Sequence, residues 1–169
     1  MHMSSVEMVA DALNRANVRY LVVGGLAVVA HGYVRFTADI DIVLDLEPSN
    51  VESAMAALTA LGYRPRAPVV LAEFADPVKR ASWVQDKGLR VFSLWSAEHQ
   101  ATEIDIFVEE PFDFDEAYRR ARMVEILPTL ALPVAAIDDL LALKRAAGRP
   151  VDLEDVRALE ALRTDRGED

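Results

Sequence analysis

The sequence predicts an α+β fold. Segments of helical and of strand periodicity mix along the chain without an internal repeat, two strands alternate acidic with β-branched residues, and the chain ends in two helices. At 169 residues, with 52% hydrophobic and 27% charged residues, it fits a single domain over 1–169 that buries its core without disulfides.

Val6, Val9, Leu13 and Ala16 repeat at helical spacing behind Ser4 and Ser5, which predicts a capped amphipathic helix. Val18 to Val23 reads as a strand. Gly24-Gly25 breaks that run, and Leu26 to Ala30 forms a short buried helix with His31 as an end cap before Gly32. Ala38 to Leu44 alternates as a half-buried strand, and Pro48-Ser49 opens a helix that closes at Gly62. Asp76-Pro77 starts another helix, leading to Trp83. Strands over Leu89–Trp95 and Thr102–Val108 follow and are expected to pair antiparallel. A short helix near 115–121 and strands near 123–127 and 130–134 lead to a helical part over about 137–162. It is broken at Gly148-Arg149-Pro150 and restarted behind Asp152 as cap.

A formal charge of −10 argues against general affinity for nucleic acid or anionic membranes, so any phosphate must be met locally. Arginines and lysines nevertheless cluster between Arg64 and Arg90 and again at Arg119, Arg120 and Arg122. With no cysteine, thiolate metal sites and cysteine nucleophiles are excluded. No apolar run is long enough to span a bilayer, and Met1-His2-Met3-Ser4 lacks the marks of a secretory signal, so a cytoplasmic protein without membrane contact is expected.

Asp39 and Asp41 lie two apart on one strand, so both carboxylates leave the same face while Ile40 and Ile42 point inward. Carboxylates held this close repel unless a cation lies between them, and Mg²⁺ suits the pair because it completes its shell with water and substrate phosphates. Acids also alternate on ordinary solvent-facing strands. Gly24-Gly25 at a helix mouth adds free backbone N–H groups and close approach for a phosphate. Asp105, in Glu103-Ile104-Asp105-Ile106, repeats the alternation and is placed to reach the same site as metal ligand and base, with Glu103 as rival.

Gly24-Gly25, Arg35-x-Thr37-x-Asp39-Ile40-Asp41-Ile42 and the later strand at Asp105 resemble the DNA polymerase β-like nucleotidyltransferase superfamily. The tail, Asp138-Asp139-Leu140-Leu141-Ala142-Leu143-Lys144 with Arg149-Pro150 and Asp152-x-x-Asp155, resembles the AbiEii/AbiGii toxin-like group, and the match spans roughly residues 20–160. The resemblance implies a nucleotidyltransferase fold, a mixed β-sheet flanked by helices. It implies a nucleoside triphosphate lying over Gly24 and Gly25, two Mg²⁺ ions held by Asp39, Asp41 and Asp105, and Lys144 reaching toward the phosphates, with Arg35 and Thr37 at the same mouth.

The expected reaction is transfer of a nucleoside monophosphate to a hydroxyl on a macromolecule, an RNA end or a partner protein, in a toxin–antitoxin-type system with a cognate antitoxin. The stretch Arg64 to Arg90 is the expected acceptor surface. Transfer to a small antibiotic is the alternative, since the layout also resembles those resistance enzymes and an acidic surface suits a cationic acceptor. A catalytically silent antitoxin or binding module is the third reading.

Overall fold

Each predicted helix is found, some with shifted ends, in a computed structural model that describes residues 4–167. Ser4 and Glu7 form a reciprocal capping box on α1 (Ser5–Arg15), which buries Val9, Ala10 and Leu13. The first strand, β1 (Tyr20–Val23), is buried throughout and runs directly into α2 (Gly24–Ala30), so the glycines form the first turn of the helix instead of preceding it. An extended loop leads to β2 (Ile40–Leu44). Asp39 therefore precedes the strand and is exposed, because the ladder with the next strand begins at Ile40 opposite Ile104.

Pro48 at the first turn starts α3 (Pro48–Ala60), and Asp76 caps α4 (Pro77–Lys87), which Gly88 ends in the left-handed conformation. Between them lie two elements that the periodicity did not announce, the two-residue strand β3 (Arg64–Pro65) and a 3-10 turn over Leu71–Ala75. Strands β4 (Val91–Trp95) and β5 (Ile104–Phe107) pair antiparallel as expected. Helix α5 (Phe114–Arg119) precedes the β6 (Arg122–Leu127) and β7 (Leu130–Val134) hairpin. The chain then forms α6 (Ile137–Ala147) and α7 (Pro150–Asp165). Helix α7 starts earlier than predicted. Arg149 is its N-cap residue and Asp152 occupies the third helical position, because Pro150 takes the first turn at no hydrogen-bonding cost.

All seven strands join one sheet in the order β3-β4-β5-β2-β1-β7-β6, parallel at β2/β5 and β1/β7 and antiparallel elsewhere. It is the mixed sheet flanked by helices that the sequence implied. One face carries the buried Ile40, Ile42, Leu94, Ile104 and Ile106, with Phe92 stacked on Trp83 of α4 at 5.4 Å. The alternation of β2 and β5 sends Asp41 and Asp105 to the other face, toward α2, α6 and α7.

Candidate active site

Asp41 and Asp105 are directly paired in register on the adjacent parallel strands β2 and β5, so their carboxylates share one stretch of sheet. Gly24 lies against this pair. Its φ of +65° is the left-handed conformation that favours glycine, and a Cβ there would fall onto the Asp41 carboxylate, 2.5 Å from Cγ. A Cβ on Gly25 would meet Thr37 Oγ1 at 2.8 Å and the Arg35 guanidinium at 3.2 Å. The glycine pair is thus the space into which Asp41, Thr37 and Arg35 close. Among the described residues no side chain caps α2, and its first N–H groups open at this mouth.

Burial pushes the Asp41 carboxyl up to about 6, with Asp105 and Asp39 adding to the rise and Lys144 and Arg149 opposing it. Burial dominates and the neighbouring carboxylates add to it, and the donor set, hard aspartate oxygens facing a phosphate-sized space, fits Mg²⁺. Among the described residues no group of three carboxylates or histidines converges closely enough to enclose an ion unaided. Such an ion would complete its shell from water and phosphate oxygens.

The eight residues singled out in the sequence, Gly24, Gly25, Arg35, Thr37, Asp39, Asp41, Asp105 and Lys144, all line one open cavity of about 260 Å³. Glu103 does not line it; it faces solvent at the side and is bound by the Arg66 guanidinium, whose hydrogen bond holds the Glu103 carboxyl below its usual range. Lys144 differs from an exposed helix lysine. It is buried and paired to Asp152 at 3.1 Å and Asp155 at 2.8 Å, and Asp155 also accepts from Arg35 at 2.5 Å. His31 closes α2 as predicted: Nε2 donates to the Ala135 carbonyl at 2.8 Å, and Nδ1 accepts from Arg166 at 3.1 Å.

Sequence reasoning missed part of the site. Arg149 lines the cavity and is held by Asp152, whose Oδ2 accepts from Nε at 2.7 Å. Burial raises the Asp152 carboxyl, but the hydrogen bonds from Arg149 and Lys144 outweigh it and hold the group below its usual range. Leu140, Leu143 and Val151 supply an apolar wall from α6 and α7. The signal was present as Lys144, Arg149, Asp152 and Asp155 gathered on both sides of the Gly148 break. In the basic stretch from Arg64 to Arg90, expected as an acceptor surface, two of the arginines are engaged by the protein itself. Arg66 is spent on Glu103, and Arg80 is buried, donating to the Phe74 carbonyl at 2.5 Å with its guanidinium over the Phe74 ring.

The model of a family described as nucleotidyltransferase of unknown function (DUF6036) matches residues 2–164. The chain belongs to this family. No match to a curated protein sequence was found. Among solved structures, this DUF6036 nucleotidyltransferase is similar to the lincosamide antibiotic adenylyltransferase LnuA with lincomycin bound, at 15% identity and a TM-score of 0.61. The match covers 96% of this chain and 99% of that one. The antibiotic-resistance factor ANT(2'')-Ia is similar in its solution structure, at 15% identity and a TM-score of 0.57 over 96% of this chain and 89% of that one. Its complex with adenylyl-2''-tobramycin has 16% identity and a TM-score of 0.53, over 95% and 93%. At these identities the likeness establishes a shared fold. The DUF6036 chain is an enzyme of the nucleotidyltransferase class.

Proposed function

We propose that this enzyme moves a nucleoside monophosphate from a Mg²⁺-bound nucleoside triphosphate to a hydroxyl of a small, cationic acceptor, and that the single domain does so in the cavity around Asp41. The observation that carries the reading is the in-register pair Asp41 and Asp105 facing Gly24-Gly25. Asp41 and Asp105, with Asp39 at the rim, would hold Mg²⁺, which when bound neutralises phosphate charge and polarises the reacting oxygens.

The chain's own groups divide the remaining work. Backbone N–H groups at the start of α2 receive phosphate oxygens, while Arg149 and Lys144, aimed by Asp152, supply positive charge from the other side. Arg35, anchored by Asp155, closes the mouth. Asp105 accepts the proton of the acceptor hydroxyl as its oxygen bonds to the α-phosphorus, the bond to the β-phosphate oxygen breaks, and pyrophosphate leaves.

Two observations support a small acceptor. Arg66 and Arg80 of the expected basic surface are engaged within the protein, and a chain of charge −10 attracts cations. The chain is also coextensive with LnuA and ANT(2'')-Ia, structures solved with lincomycin and adenylyl-2''-tobramycin. One observation favours a macromolecular acceptor or an antitoxin, in keeping with the AbiEii/AbiGii-like tail. On the loop bordering the cavity, Val34 and Phe36 stand 91% and 87% exposed, and a protein or RNA base would cover them.

Incubating the protein with each α-labelled nucleoside triphosphate and Mg²⁺, with lincomycin, tobramycin or cell extract, tests the proposal. Label entering a small molecule is the expected result. Label confined to RNA or protein would move the assignment to the second reading, and label entering nothing would count against transfer.

A further inference from the structure

The register of the sheet brings one more side chain into the catalytic row. Asp41 of β2 is opposite Asp105 of β5, and Asp105 is opposite Ser93 of β4, so the three stand side by side on one face across three strands. Ser93 Oγ donates a hydrogen bond to Asp105 Oδ1. Both side chains are half-buried, and among the described residues no other side chain donates a hydrogen bond to the Asp105 carboxylate.

We propose that Ser93 is a positioning residue for Asp105, an inference that rests on the nucleotidyl-transfer reading of the site. An aspartate carboxylate turns easily about its last torsion, and Asp105 faces the like charge of Asp41 on one side. A donor on the opposite strand fixes that torsion. It holds Oδ1 toward β4 and leaves Oδ2 free of that bond, where it would meet the acceptor hydroxyl or the cation. A carboxylate that must serve both needs one defined orientation, and the hydroxyl on β4 supplies it in the way that outer groups orient metal-binding carboxylates. The alternation that places Ser93 here also gives its neighbours Phe92 and Leu94 to the core, so the strand itself is anchored independently of the hydroxyl.

The test compares Ser93→Ala and Ser93→Thr in the full chain. Mn²⁺ binding in the presence of a non-hydrolysable ATP analogue is read from the electron paramagnetic resonance of free Mn²⁺, and label transfer from ATP is measured over a range of ATP concentrations. Removing the hydroxyl should weaken Mn²⁺ binding and lower kcat by about tenfold, with KM for ATP and the apo-protein melting temperature near wild type. Ser93→Thr keeps an Oγ and should restore both. If Ser93→Ala fails to fold, Ser93→Cys carries the test, since it preserves the size and replaces the hydroxyl with a weak donor. Wild-type Mn²⁺ binding in the variant without the hydroxyl, or a threonine variant no better than alanine, would overturn the role of Ser93 alone. A wild-type protein that binds no nucleotide with Mn²⁺ would overturn the transferase reading and Ser93 with it.

Discussion

Asp41→Asn should make the metal-free protein more stable at neutral pH while disabling its chemistry. The Asp41 carboxyl is pushed from its ordinary value of 3.8 up to about 6, first by burial and then by Asp105. The folded state therefore binds a proton that the unfolded chain has released, and stability falls as pH rises through the window from about 4 to about 6. A gap of roughly two pH units corresponds to a penalty of about 3 kcal/mol, complete above pH 6 and absent below pH 4. Asparagine has nearly the same shape and no charge, so it escapes the penalty. Urea denaturation of wild type and variant at pH 4.5 and pH 7.5 reads the difference, which should be small at the lower pH and favour the variant by up to about 3 kcal/mol at the higher. Mg²⁺ with a nucleoside triphosphate should stabilise the wild type and leave the variant unmoved. A variant less stable than wild type at pH 7.5, or a difference equal at both pH values, would refute the picture of a carboxylate buried against its neighbour.

Gly24→Ala should cost roughly 1–2 kcal/mol from the left-handed backbone alone, and more as the new Cβ displaces the Asp41 carboxylate; denaturation and nucleotide titration measure both. Asp105→Asn should cut turnover by roughly 10²-fold or more with little change in nucleotide affinity, whereas Glu103→Gln, which only frees Arg66, should stay near wild type in steady-state assays. Arg80→Glu should destabilise the fold by about 3 kcal/mol or more, because it replaces a buried, bonded guanidinium with an unpaired carboxylate, while Arg64→Glu at the surface should fall within about 0.5 kcal/mol in thermal melts.

The centre of the site was legible because it is written in local patterns. Two strands with the same alternation of acid and isoleucine could be expected to lie side by side, and Asp41 and Asp105 do so in register. The Gly24-Gly25 break marked the turn where a side chain has no room. What periodicity could not show was pairing over long sequence separations. Lys144 was expected as a cation reaching for phosphate, and the sequence did not show that the partners holding it at the cavity, Asp152 and Asp155, come from the next helix. Arginines clustered in sequence suggested a surface between Arg64 and Arg90, yet two of them are directed elsewhere by their own contacts, Arg66 to Glu103 and Arg80 to Phe74. Ser93 carries no motif, and its role depends wholly on the β4/β5 register. The strand β3 is too short to announce itself and exists through its ladder with β4.

Calorimetric titration of the four nucleoside triphosphates, with and without Mg²⁺, tests the central claim most directly. The cavity sets Arg35, Lys144 and Arg149 against Asp39, Asp41, Asp105 and Asp152, so a bare triphosphate meets no net positive charge. At least one nucleotide should bind when Mg²⁺ is present, fail to bind when it is absent, and lose binding in the Asp41→Asn, Asp105→Asn double variant. Binding that is indifferent to Mg²⁺ and to the double substitution, or no binding of any nucleotide in either condition, would contradict the account.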